Sequence, residues 1–210
     1  MATLLHIQAS PMKERSFSLQ AAQVFIEAYA AAHPSDTIQT VDVFGGAVPE
    51  FGVLQVAAKY KILHGKPASA EEAAAWKGVE AAIAAFKAAD RIVISSAMWN
   101  FGIPYMLKKY IDVIVQPGYT FSYSPAEGYK GLCPGKRAAL ILARGGAYPA
   151  GTPGAALDFQ RPYLETTLGF MGITDVRTIV VEPTLMEGPD RAAELLKAAQ
   201  VQAREMAKGF

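Results

Sequence analysis

Short apolar runs alternate with helically spaced apolar residues five times along the chain. The runs at 92–95 and 137–143 are typical of strands buried on both faces, while the run at 37–43 alternates. Right-handed crossovers place such strands side by side in one sheet with helices on both faces. The sequence therefore predicts an α/β fold with a doubly wound parallel sheet. The expected strands are residues 4–8, 37–43, 92–95, 137–143 and 173–181.

Several helix boundaries are marked by particular residues. Ser16 or Ser18 can cap a first helix that ends near His33, and Ser69 with Glu72 has the spacing of a capping box. Pro162 is expected to interrupt or restart a helix over 157–170. The remaining expectations are a short helix at 54–63, a helix at 103–115, an extended or hairpin element at 118–123, a turn-rich loop at 125–135, an irregular segment at 147–155 and a last helix from 188.

Composition narrows the possible classes of protein. A chain of 210 residues with 51% hydrophobic and 19% charged residues fits one globular domain over residues 1–210. The net charge of +1 gives no electrostatic reason to expect nucleic acid, and no apolar run reaches membrane-spanning length. The N-terminus lacks the features of a signal peptide, and a single cysteine fits a reducing cytoplasm. Three scattered histidines argue against a metal site.

Three loops should meet at one edge of this sheet, because ligands of open α/β sheets bind at the carboxyl ends of the strands. The first loop carries hydroxyls from Ser10 to Ser18 before a helix start, where free N–H groups can hold a phosphate. A plain helix cap would explain the same serines. No Gly-x-Gly-x-x-Gly or Walker lysine motif follows the first strand, which disfavours a dinucleotide or triphosphate site of those types.

The other two loops favour a flat ligand. Met98, Trp99 and Phe101 form an apolar wall after the third strand, and Gly145 with Gly146 allows close approach of a planar ring. The alternatives are that the wall plugs the end of a core and that the glycines form an ordinary turn. Taken together, the three loops suit a phosphorylated planar heterocycle, of which flavin mononucleotide (FMN) is the obvious member.

Two other functions fit the sequence poorly. The segment Gly131–Gly135 matches a Gly-x-nucleophile-x-Gly elbow around Cys133, but it precedes a strand, and Pro134 lacks the N–H that the oxyanion hole needs. A phosphorylated receiver domain needs an acidic cluster after the first strand, where this chain has Gln8, Ala9 and Ser10.

At these loops the sequence resembles the FMN-dependent NADH-azoreductase family of flavodoxin-like quinone reductases, from about Leu4 to Ala207. The resemblance implies a five-stranded sheet in the order 2-1-3-4-5 and a homodimer with one FMN per subunit near the interface. The motifs that carry it are Ser10 with Ser16-Phe17-Ser18, Met98-Trp99-Asn100-Phe101, Thr120-Phe121, Arg144-Gly145-Gly146 and Leu168-Gly169-Phe170-Met171-Gly172-Ile173.

The resemblance also implies site residues. Phosphate-end contacts are expected from Ser10, Ser16, Phe17 and Ser18, and ring contacts from Ala97, Met98, Trp99, Asn100, Phe101, Ala143, Arg144, Gly145, Gly146 and Tyr148. The expected substrate-pocket residues are Phe101, Tyr60, Tyr129, Phe121 and Phe170, with Tyr60 and Tyr129 serving the partner subunit's pocket. Three positions depart from the family pattern. Trp99 replaces a common tyrosine, Ala143 a common serine, and Tyr148 a histidine of some members.

The expected activity is hydride transfer from NADH or NADPH to FMN and then to a quinone or azo acceptor. The chemistry is assigned to N5 of the flavin, and no catalytic acid–base residue is required. The alternative is a flavodoxin-like electron carrier that docks only protein partners. Such carriers are usually small and strongly acidic, and the net charge of +1 argues against that reading.

Overall fold

A computed structural model describes residues 1–210 and contains a five-stranded parallel sheet. Counted within this sheet alone, the strand order is 2-1-3-4-5, which confirms the prediction. Strands β1, β3 and β6 form its centre, where nearly every side chain is buried, as continuous apolar runs require. In sheet order the strands are β2 (Thr37–Asp42), β1 (Thr3–Ala9), β3 (Arg91–Ala97), β6 (Arg137–Ala143) and β7 (Asp175–Val181).

Helices cover both faces of the sheet. One face packs on α1 (Phe17–Ala32) and α6 (Gly188–Lys208) through a core of 15 buried residues. The other face packs on α3 (Ala70–Ala88), α4 (Tyr105–Ile114) and α5 (Arg161–Phe170) through a core of 26. Helix α2 (Val53–Leu63) lies against α3 outside this layer. None of these helices combines the length and the apolar character that crossing a membrane demands.

The predicted helix starts are confirmed at both serine caps. The Ser16 hydroxyl accepts a hydrogen bond from the Leu19 amide, and Ser69 and Glu72 form the complete capping box of α3. The prediction for 157–170 was too long, since a 3-10 helix spans Pro153–Leu157 and α5 begins only at Arg161. Pro162 lies in the first turn of α5, where its missing N–H costs no hydrogen bond.

The expected hairpin is present and extends further than predicted. Strand β4 (Phe121–Ser124) pairs with β5 (Gly128–Gly131), so part of the predicted 125–135 loop is a strand. The hairpin lies at the amino edge of the sheet. Lys87 is at the end of α3, just before β3 begins, and its ammonium donates to the carbonyl of Tyr119, just before β4, at 2.8 Å. Gly131 touches the backbone at Gly172, where an added Cβ would lie 2.2 Å from the Gly172 nitrogen.

Candidate functional site

The three candidate loops follow β1, β3 and β6, which are neighbours in the sheet and run parallel. Their carboxyl ends therefore meet at one edge, as the sequence predicted. The second and third loops are joined directly, since the Met98 amide donates to the Ala143 carbonyl at 2.8 Å. The strand order reverses beside β1, so this edge is the topological switch point of the sheet.

The first loop brings two of the predicted phosphate residues together. The hydroxyl oxygens of Ser16 and Ser18 lie 3.1 Å apart at the start of a 16-residue helix. Ser10 is 2% exposed, and its hydroxyl accepts from the Met12 amide at 3.4 Å. The amides of Phe17 and Ser18 make no backbone hydrogen bond in the first turn, so they are available to an anion. A phosphate held here would be enclosed by the loop.

The phosphate loop carries two cationic side chains, Lys13 and Arg15. Lys13, which has a left-handed φ of 51°, forms an ion pair with Asp42 at the end of β2. Arg15 is exposed and forms no ion pair, so an anion in this loop has one guanidinium nearby in addition to the hydroxyls, the amides and the positive end of the helix dipole.

The second loop is a tight turn that presents its amides outward. Trp99 and Gly102 exchange two backbone hydrogen bonds of 3.0 Å, and Asn100 and Phe101 between them have φ values of 47° and 69°. The amides of Asn100 and Phe101 make no backbone hydrogen bond. The Phe159 amide fixes the turn from outside by donating to the Phe101 carbonyl at 3.0 Å. Two free donors next to an aromatic ring suit the carbonyl edge of a planar ligand.

The aromatic side chains of this loop lie at the surface. Trp99 is 38% exposed and Phe101 is 43% exposed, which rules out the core-plug alternative for both residues. The Trp99 ring lies 5.8 Å from the ring of Phe44 and 6.2 Å from that of Tyr105, measured between centroids. Phe44 follows β2 and Tyr105 begins α4. Sequence reasoning missed both, although their positions beside the same sheet edge were a usable signal.

The third loop has glycine at both positions, and a Cβ at either one would meet only the ends of flexible side chains. A Cβ on Gly145 would lie 2.9 Å from Leu185 Cδ1, and one on Gly146 would lie 3.2 Å from the Tyr148 hydroxyl. Neither glycine amide makes a backbone hydrogen bond. The Tyr148 ring also meets the Phe101 ring edge-on at 6.4 Å. The two free amides separate this loop from an ordinary turn, and Ala143 offers no hydroxyl.

Arg144 is the one charged residue among the predicted cofactor residues, and its side chain is buried. It is 2% exposed and bonds to Asp158, Gln160 and Glu182. Sequence reasoning missed these three partners. Glu182 directly follows β7, so the topology placed it at this edge, but no local pattern paired it with a residue 38 positions away.

The residues present fit FMN. Hydroxyls and free amides at Ser16, Phe17 and Ser18 match a phosphate, while the free amides of the two other loops match the carbonyl oxygens of a flavin ring. The exposed Phe101 offers an apolar surface for that ring. Glycine at 145 and 146 keeps open the space that a Cβ would fill.

The predicted substrate-pocket residues fall into separate groups within one chain. Phe121, Tyr129 and Phe170 form a cluster, with the Phe121 and Phe170 centroids 4.7 Å apart and those of Tyr129 and Phe170 5.4 Å apart. This cluster belongs to the hairpin and the end of α5, at the amino edge of the sheet. Phe101 lies at the carboxyl edge, beyond a seven-residue strand about 20 Å long. Tyr60 lies apart on α2 and stacks on His64.

Two buried titratable side chains, His6 and Cys133, have pKa values shifted by burial. Burial lowers the pKa of His6 on β1 to about 4, so this imidazole is neutral in the folded protein near pH 7. Burial also raises the pKa of the Cys133 thiol, and nearby Lys136 and Lys87 only partly oppose it. Cys133 lies at the amino edge before β6, so the structure offers no reactive thiolate to the candidate site.

Comparison with known proteins identifies the family. Residues 2–207 match the profile of a family described as having a flavodoxin-like fold. The FMN-dependent NADH:quinone oxidoreductase of Nitratidesulfovibrio vulgaris (strain DP4) is 50% identical over 210 residues, covering all of both chains.

Solved structures agree with this assignment. An azoreductase from Bacillus anthracis str. Sterne superposes with a TM-score of 0.91 at 33% identity, over the whole of both chains. An FMN-dependent NADH-azoreductase from Bacillus anthracis str. Ames Ancestor, in complex with FMN, has a TM-score of 0.90 at 28% identity, covering 99% of this chain and 98% of that one. The chain therefore belongs to the flavodoxin-like family, with relatives named FMN-dependent NADH:quinone oxidoreductases.

Proposed function

We propose that this chain is an FMN-dependent oxidoreductase that transfers hydride from NADH or NADPH to quinones and azo compounds. The observation that carries the proposal is the set of groups that meet at the switch-point edge of the sheet. Hydroxyls at a helix start, an exposed aromatic and two pairs of free amides converge there on one planar, phosphorylated ligand. An FMN-dependent NADH:quinone oxidoreductase that is 50% identical and an azoreductase that is 33% identical support the same chemistry.

The protein's part in this reaction is to bind and orient. When bound, FMN supplies hydride-transfer chemistry at its N5 atom. Ser10, Ser16, Phe17 and Ser18 would hold the phosphate end. The ring end would receive hydrogen bonds from the amides of Asn100, Phe101, Gly145 and Gly146.

The walls of the ring site would be mainly apolar. Ala97, Met98, Trp99 and Phe101 would line the ring from one side, and Ala143 and Tyr148 would lie near its other edge. No acid–base residue is assigned to the first half-reaction, since nicotinamide gives up a hydride without needing a protein base.

The order of binding follows from one shared surface. Nicotinamide and acceptor are both planar, and both need their reacting atom over the same position beside Phe101, so they compete for one stacking surface. The reductant should therefore leave before the acceptor enters, which is a ping-pong scheme. A quinone needs one such cycle, whereas an azo bond needs two cycles to give two amines.

Steady-state kinetics with the FMN-loaded protein test this proposal. Initial rates measured with NADH and with NADPH, at several fixed quinone concentrations, should give parallel double-reciprocal lines. Intersecting lines would show that both substrates bind at once and would overturn the single-surface reading. Failure to oxidise either nucleotide without a protein partner would instead favour the electron carrier. The comparisons lend that alternative no support.

A second copy of the chain would complete the substrate pocket. Phe121, Tyr129 and Phe170 lie at the opposite edge from Phe101, so within one chain these residues cannot line the same pocket. Exposed fractions of 67% for Tyr129 and 56% for Tyr60 leave both rings available to a neighbouring molecule. We therefore propose a homodimer in which each copy supplies aromatic residues to its partner's flavin site. The buried, unpaired Cys133 supports the expected cytoplasmic location of such a dimer.

A further inference from the structure

The Arg144 guanidinium is the most completely enclosed charge at the candidate site. Its three nitrogens donate to Asp158 at 2.7 Å, to Gln160 at 3.1 Å and to Glu182 at 3.2 Å. Its backbone is engaged as well, because the amide donates to Val181 and the carbonyl accepts from Thr184. With 2% exposure, this side chain does not offer a free cation to an anionic ligand.

Each partner of Arg144, or the residue next to it, forms a hydrogen bond with another part of the site. The Glu182 carboxylate accepts the Tyr148 amide at 3.1 Å, and the guanidinium lies 5.8 Å from the centre of the Tyr148 ring. Next to Asp158, the Phe159 amide donates to the Phe101 carbonyl. Gln160 reaches β3 through the Ser96 carbonyl at 3.4 Å. One side chain thus connects the loops that carry Phe101, Gly145–Gly146 and Tyr148.

Arginine suits this position because its planar fork can bond to several acceptors in fixed directions. A lysine ammonium is a compact point charge and cannot reproduce three divergent contacts. The two carboxylates also need the guanidinium, since removing one partner of a buried ion pair leaves an uncompensated charge. The arrangement is therefore one unit, and a change in any member is expected to displace the loops.

We propose that Arg144 is a positioning residue that holds the Phe101 turn and the Gly145–Tyr148 loop at a fixed separation across the flavin ring. It acts through Asp158, Gln160 and Glu182 and not by touching the phosphate or the nicotinamide nucleotide. The inference rests on the proposed function and deepens it by assigning the ring-end geometry to one buried unit.

Flavin binding and the spectrum of the bound flavin test this role. Asp158→Asn keeps an oxygen for the Gln160 and Arg161 amides but removes the charge that faces Arg144. Asp158→Asn and Arg144→Lys should each weaken FMN and riboflavin binding by the same factor, about tenfold, because the ring end is shared by both ligands. The visible absorption band and fluorescence of the flavin that still binds should shift toward those of free flavin.

Arg161→Lys is the matched control. Arg161 begins α5, directly after Gln160, and forms an exposed ion pair with Glu165. The substitution should change neither affinity nor spectrum, because exposed pairs contribute little. The double variant Arg144→Lys with Asp158→Asn should bind flavin no more weakly than the worse single variant, as expected for one unit. Should either single variant fail to fold by circular dichroism, Gln160→Ala removes one arm and leaves both ion pairs.

Three results would overturn the proposal. The first is an Arg144→Lys protein with native affinities and a native spectrum. The second is an Arg144→Lys protein that binds FMN more weakly but riboflavin normally, which would place Arg144 at the phosphate. The third is a lower melting temperature with an unchanged bound-flavin spectrum, which would make the role purely structural. A wild-type protein that binds neither flavin would count against the proposed function itself and would be recognised before any variant is compared.

Discussion

The hydroxyl pair of Ser16 and Ser18 gives the most local test of the phosphate assignment. Replacing both with Ala should weaken FMN binding by on the order of 100- to 10,000-fold, since hydrogen bonds to a charged group contribute about 1.5–3 kcal/mol each. Riboflavin binding should change little, because riboflavin has no phosphate. Ser35→Ala, in the exposed turn before β2, is the control. Equal loss of both flavins would indicate a folding effect and refute the assignment.

His6 gives a prediction about pH. Its imidazole is 3% exposed, and its Nε2 lies 2.9 Å from the Ser95 hydroxyl. Burial lowers the folded-state pKa to about 4, below the ordinary value of 6.5, so the unfolded chain binds a proton that the folded protein excludes. This group's contribution to stability is complete above about pH 6.5 and is lost as the pH falls toward 4. The loss should reach about 3 kcal/mol.

Urea unfolding of the wild type and of His6→Gln between pH 7 and 4.5 measures this contribution. The variant lacks the titrating group, so its stability should fall less steeply over this range. Parallel curves for the two proteins would contradict the assignment of a neutral, buried His6. Working above pH 4.5 keeps most carboxyl groups ionised and their effects common to both proteins.

Single residues also show where sequence reasoning stops. Ser16 and Gly146 were predictable because a helix start and a close-approach turn each have a local signature. The partners of Arg144 were not, since Asp158 lies 14 positions away and Glu182 lies 38 away, and only the folded sheet brings them together. The resemblance placed Arg144 among the ring-contact residues, whereas its guanidinium is buried against Asp158, Gln160 and Glu182.

At the scale of elements, the capping box of α3 predicts a stability effect that leaves the flavin site unchanged. The Ser69 hydroxyl accepts from the Glu72 amide at 3.2 Å, and the Glu72 carboxylate accepts from the Ser69 amide at 2.7 Å. Ser69→Ala should lower the free energy of unfolding by about 1 kcal/mol. Chemical denaturation measures the loss, and Ser35→Ala in an exposed turn is the control. A simultaneous loss of FMN affinity would show unexpected coupling.

Elements differed in how well they could be predicted. Long helices with serine caps and the buried strands of the sheet were found nearly at their observed bounds, because their periodicity extends over many residues. Strand β5 was missed because it has only four residues, begins and ends with glycine, and is defined by its pairing with β4. The short α5 was overextended, since apolar residues before Arg161 resemble a helical turn in sequence.

For the whole molecule, the division of aromatic residues between two sheet edges predicts a dimer with shared sites. Light scattering should give twice the chain mass at micromolar concentration. Phe101→Ala and Phe170→Ala should each lose activity when alone, since each damages both sites of its own dimer. Mixing the two variants and allowing subunits to exchange should restore roughly a quarter of wild-type activity, because half of the dimers then carry one intact site.

Two results would contradict the prediction of shared sites. A monomer with full activity, or a mixture no more active than its components, would show that each chain completes its own pocket. Val201→Ala, which alters an exposed apolar side chain on α6 outside both aromatic groups, is the control for general loss of exposed apolar surface.

In such a dimer, the close contact between Gly131 and Gly172 would affect the site of the neighbouring copy. These two backbones touch so closely that any side chain at position 131 must push the hairpin away from its own sheet. The hairpin carries Tyr129, which the proposed dimer gives to the neighbouring copy. A methyl group added at 131 would therefore leave the flavin loops of its own chain intact and misalign the acceptor in the other. The effect would appear in the partner subunit's substrate pocket, although the added methyl group lies in the first subunit. In a dimer of two variant chains, both pockets would be affected in this way.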